Sequence, residues 1–124
     1  MTNLRNTNLR ARDVNKLAGY KFFSLYWDQG CDSTSEWVIA SLSEKKHREL
    51  LVNWLSSKDI EHASEVVVLT LVDSPIRRYT WQDILNDLEI IFNGVPCKIY
   101  EIDFKWHLEY AEQEIARFGR YKNA

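Results

Sequence analysis

Cysteine is scarce: Cys31 and Cys97 are the only two. That excludes a disulfide framework, and their separation fits neither a zinc site nor a redox pair. They read as reduced thiols of a cytoplasmic protein. Proline and glycine are scarce too, at two and four residues, so linkers and low-complexity tracts are ruled out. No glycine-rich loop follows any predicted strand, which removes a phosphate cradle. No window approaches the roughly 20 apolar residues of a membrane span. Met1 to Val14 is polar and carries Arg5, Arg10 and Arg12 where a secretory signal would be apolar. Excess positive charge is also missing. A formal net charge of -2 argues against direct nucleic-acid binding, whose footprint is strongly basic. His47, His62 and His107 show no metal-ligand spacing, so neither metal nor cofactor is expected.

What is present points to one folded domain over residues 1–124. Hydrophobic residues make up 45% and charged residues 27%, enough to build a core and to keep the surface wet. Aromatics reach 13%, including Trp27, Trp37, Trp54, Trp81 and Trp106. So small a core is not expected to absorb all five indoles, and tryptophan is enriched in binding hot spots.

Patterning predicts helices near 8–18, 44–56 and 80–92, and strands near 20–27, 65–72 and 97–102. The first helix places Ala11, Val14 and Ala18 on one face and stops at Gly19. Ser33-x-x-Glu36 is a capping-box pattern, and Trp37 to Leu42 fits either a short helix or a strand. The 44–56 helix has the face His47, Leu50, Leu51, Trp54, Leu55. Glu65 to Val72 is a near-continuous β-branched run, the signature of a strand covered on both faces. Thr80-x-x-Asp83 opens the next helix, whose outer stripe is Asp83, Asn86 and Ile90 with Asp87 beside it. The order β-α-β then implies a crossover and parallel strands. The expected architecture is a compact α/β sandwich with a small parallel or mixed sheet flanked by helices.

The stretch from Ile99 to Tyr110 fits two periods. With period 2, Tyr100, Ile102, Phe104, Trp106, Leu108 and Tyr110 share one face of a strand. With period 3.6, the apolar face becomes Phe104, Leu108, Ala111, Ile115 and Phe118, and Trp106 and Tyr110 turn to solvent. The β-α-β context favours the second, a last helix over 104–118 capped by Asp103. Trp106, Tyr110 and Arg117 then form an outer stripe with hot-spot composition.

Two resemblances follow from these residues. Asp103-Phe104-Lys105 resembles the (D/E)xK element of PD-(D/E)xK nucleases, in which two acids hold a divalent cation and a lysine assists water. Asp73 would supply the second acid. In size, mild acidity, aromatic richness and α/β build, the whole chain resembles small cytoplasmic immunity proteins that neutralise bacterial toxins, including those of contact-dependent growth inhibition. That resemblance implies a non-catalytic, one-to-one inhibitor of a cognate toxin, often a nuclease, acting as a monomer or weak homodimer without nucleic-acid or membrane contact. Its expected contacts are Asp83, Asp87, Ile90, Trp106, Tyr110 and Arg117, acidic and aromatic groups suited to a basic partner surface. A general interaction domain or homodimeric scaffold is the third reading.

Overall fold

A computed structural model describes residues 4–30, 35–70 and 76–122. Its elements are α1 (Ala11–Lys21), a 3-10 turn (Phe22–Ser24), β1 (Leu25–Trp27), β2 (Val38–Ile39), α2 (Lys45–Ser56), β3 (Glu65–Thr70) and β4 (Arg77–Thr80). Then come α3 (Trp81–Asn86), a 3-10 turn (Leu88–Ile90), β5 (Cys97–Glu101), β6 (Trp106–Ala111) and β7 (Ile115–Tyr121). The strands form one seven-stranded sheet in the order β1-β7-β6-β5-β3-β4, with β2 continuing the β1 edge along β7. Every pairing is antiparallel.

The expected parallel or mixed sheet is therefore wrong, and β4 is the reason. Arg77-Arg78-Tyr79-Thr80 pairs back on β3, with Val66 opposite Tyr79 and Val68 opposite Arg77. This extra reversal precedes the helix. The crossover through α3 thus joins β4 to β5 on either side of β3, and β5 runs antiparallel to β3. The helix expected over 104–118 is also absent. A turn at Asp103–Lys105 and a hairpin turn at Glu112–Glu114 convert that segment into β6 and β7, paired from Trp106↔Arg120 to Ala111↔Ile115.

Side chains alternate along β6 as period 2 requires, but the turn at Asp103–Lys105 divides the six residues of that reading between the two faces of the sheet. Trp106, Leu108 and Tyr110 face α2 and α3, packed with Leu51, Trp54, Leu55, Trp81, Ile84 and Phe92. On the other face Val14 of α1 and Leu4 cover Val67, Leu69, Tyr100, Ile102, Phe104 and Tyr121. Strand β3 is apolar on both sides, as its β-branched run implied. Among the described residues, no helix is long and apolar enough to cross a membrane.

Local chemistry fixes the turns and caps. Thr80 Oγ1 accepts from the Asp83 N–H and Asp83 Oδ2 accepts from the Thr80 N–H, a reciprocal cap that starts α3. At the β5–β6 turn the buried Glu101 carboxylate accepts from the Asp103 and Lys105 N–H groups. It holds Phe104 in the left-handed region, φ 56°, with the ring buried against Tyr100 and Tyr121.

Candidate functional site

The residues expected to form a docking surface separate in the structure. Trp106 is 5% exposed, edge-on to Trp81 at 5.2 Å and stacked on Phe118 at 5.3 Å. Tyr110 is 1% exposed, meets Phe92 edge-to-face, and accepts the Gly94 N–H at 2.9 Å. Both are core residues, because β6 alternates where a helix would have turned them outward. Ile90 packs against the same core. Asp83 and Asp87 are exposed on the α3 side of the sheet, each with one carboxylate oxygen engaged in a backbone cap. Arg117 alone sits in a cluster of chemically distinctive groups, on the opposite face.

That cluster follows from register. One row across β5, β6 and β7 is Lys98, Glu109, Arg117; the next, extended onto β1, is Tyr100, His107, Gly119, Trp27. All point to the α1 side, where α1 does not cover the sheet completely. The Arg117 guanidinium lies between two indoles, 3.7 Å from the Trp27 ring centre and 4.5 Å from that of Trp37. It donates to Glu36 Oε1 at 3.1 Å and to Glu109 Oε1 at 3.3 Å. Its Nε is buried without a hydrogen-bond partner among the described residues. His107 is buried and stacks on Tyr100 at 4.4 Å with an interplanar angle of 13°. A carbonyl can only accept, so the 2.9 Å contact to the Ile99 oxygen places a proton on His107 Nδ1. His107 Nε2 then faces Glu109 Oε2 at 3.7 Å.

The electrostatics are set by this crowding. His107, then Arg117 and Lys98, hold the Glu109 carboxyl below the usual glutamate value against the cost of burial. Burial pushes the Tyr100 phenol up to about 12, helped by the Glu109 charge, and raises Tyr121 as well. Gly119 makes room for the arrangement: a Cβ there would lie 2.8 Å from Leu25 Cδ1 and 3.0 Å from Trp27 Cε3. Between these rows and α1 lies a cleft of about 300 Å³, with Phe22 at its rim.

Beside the cleft, the chain leaves α1 through a run of exposed aromatics. Tyr20, Phe22, Phe23 and Tyr26 are 73%, 60%, 92% and 56% exposed. Phe22 and Phe23 meet edge-to-face at 6.1 Å, and Lys122 Nζ lies over the Tyr26 ring at 5.8 Å. The sequence reading assigned 20–27 to a strand and so missed this surface. The Phe22-Phe23 doublet was its visible signal, since adjacent large aromatics cannot share one buried face of a strand.

The nuclease-like tripeptide lies in a turn. Asp103 makes a bidentate pair with Arg5, which keeps its carboxyl below the ordinary aspartate value. Phe104 faces the core, and Asp73 lies outside the described residues. This placement differs from the strand-borne acids on which that resemblance depends. Cys97 is a free, buried thiol raised by desolvation to about 12, and Cys31 lies outside the described residues. Compared with known proteins, the sequence matches no family model and no curated protein, and the fold matches no solved structure.

Proposed function

We propose that the chain is a non-catalytic, cytoplasmic binding protein that neutralises a cognate toxin by docking to it one-to-one. The observation that carries the binding reading is the aromatic corner of Tyr20, Phe22, Phe23 and Tyr26. Burial of apolar surface is worth about 25 cal/mol per Å². A chain that packs Trp106 and Tyr110 away yet leaves Phe23 in water leaves that energy for a partner to recover. The traits that favour a toxin as partner are those of the sequence: size, mild acidity and aromatic richness.

The corner also changes the expected electrostatics. Residues 10–27 carry Arg10, Arg12, Lys16 and Lys21 against Asp13 and the edge residue Asp28 that follows, on a chain whose net charge is -2. A basic, aromatic surface fits an apolar patch with an acidic rim. A nuclease toxin would therefore be gripped at an acidic exosite beside its cationic substrate cleft. Asp83 and Asp87, across the sheet, stand outside the contact.

Co-expression tests this. The neighbouring reading frame is expected to encode the toxin, and the wild-type chain to rescue cells from it. The Phe22→Ala/Phe23→Ala double variant is expected to lose rescue while remaining folded. A neighbouring frame without toxicity, or rescue undiminished in the double variant, would overturn the reading.

A further inference from the structure

The cleft beside α1 contains donors that the fold does not use. Tyr100 and Tyr121 are buried through their rings, yet among the described residues neither hydroxyl has a hydrogen-bond partner. Lys98, half-buried on the adjacent row, has no carboxylate within ion-pair distance among the described residues, because the oxygens of its cross-strand neighbour Glu109 face Arg117 and His107. All three side chains line the same cavity of about 300 Å³. Phe22, Leu25 and Trp27 supply apolar wall. The other wall is α1, which presents Ala18 and Gly19 there, and a Cβ added to Gly19 would meet nothing within 4 Å. Donors that converge on an open, part-apolar space without a protein partner mark a ligand site, and the buried Arg117 Nε on the same lining also lacks a partner among the described residues.

We infer that this cleft binds a small monocarboxylate carried on a ring-sized apolar body. The volume lies at the lower limit of small-molecule sites, which favours a single ring over a nucleotide. A carboxylate offers two oxygens with about four lone-pair positions, matching two phenols and one ammonium. Raised by burial, both phenols stay protonated at neutral pH and so act as donors. The ionised Glu109 in the same lining opposes a second negative charge and disfavours a phosphate dianion. Its own oxygens already face Arg117 and His107, which leaves little for a ligand cation to gain. The inference stands apart from the toxin reading.

Calorimetry with phenylacetate, its uncharged amide and the cation phenethylamine tests it. Phenylacetate is expected to bind saturably at millimolar concentration or below, and about tenfold or more tighter than the amide, the value of one charge-assisted hydrogen bond. Lys98→Gln should erase that preference. Gly19→Leu should block the cleft and abolish binding without lowering the melting temperature, since it adds helix propensity and fills open space. Equal affinity for acid and amide, preference for the amine, binding that survives Gly19→Leu, or no saturable binding of phenylacetate at millimolar concentration would each overturn the proposal.

Discussion

Arg117→Met is the most informative single change to the folded chain. Methionine keeps the apolar stem between Trp27 and Trp37 but removes the guanidinium that joins Glu36 and Glu109. Breaking a fully buried pair costs about 3–5 kcal/mol. Here Arg117 is 22% exposed and Glu36 39% exposed, so solvent screening cuts the ionic part to roughly 1–2 kcal/mol. The two cation–π contacts add about 0.5–1 kcal/mol each. The expected loss is about 2–4 kcal/mol, or roughly 8–15 °C in melting temperature for a domain of this size. Urea unfolding followed by tryptophan fluorescence measures it, with an unchanged m-value showing that the denatured state is unaffected. A double-mutant cycle with Glu109→Gln should give a coupling of about 1–2 kcal/mol. A loss below about 0.5 kcal/mol with no coupling would refute the reasoning, since exposed ion pairs contribute no more than that.

Three further outcomes follow from the same structure. Trp106→Ala should destabilise by about 3–5 kcal/mol in urea unfolding, the cost of an emptied aromatic core site, whereas a solvent-facing Trp106 would cost almost nothing. Glu114 sits at φ 59° in the β6–β7 turn, so Glu114→Gly should stabilise by about 1 kcal/mol in thermal melts by relieving the left-handed conformation. Glu109 is held below the 4.5 of a free glutamate; the unfolded chain therefore takes up its proton first, and stability should fall as pH drops below that value. Glu109→Gln should flatten this part of the acid-unfolding curve.

The sequence made some of this visible and concealed the rest for identifiable reasons. Helix α2 emerged from its periodic Leu51, Trp54 and Leu55, and β3 from a β-branched run that is buried on both faces. Strand β4 was hidden because Arg77-Arg78-Tyr79-Thr80 is an edge strand with no apolar alternation, and missing it reversed the inferred sheet direction. The β6–β7 hairpin was hidden because its bounding turns lack glycine, asparagine and proline. Phe104 and Glu114 occupy the left-handed positions, which such residues seldom do. With no turn signal, Ile99 to Tyr110 fitted both alternation and helical periodicity, and the expected β-α-β order favoured the helix. Arg117 was singled out for its side chain, but its true neighbours come from β1, β6 and the segment before β2. Only strand register brings Trp27, His107, Glu109 and Arg117 together.

The central claim is that this chain binds a protein partner through the corner at Tyr20 to Tyr26. The most direct measurement is the affinity of the proposed toxin partner for two double variants. Phe22→Ala/Phe23→Ala removes two aromatic anchors worth roughly 2 kcal/mol each, and should weaken binding on the order of a thousandfold. Asp83→Asn/Asp87→Asn should leave it within about threefold of wild type. The opposite ranking, with the aspartates essential and the phenylalanines dispensable, would contradict the account and place the contact on the far side of the sheet.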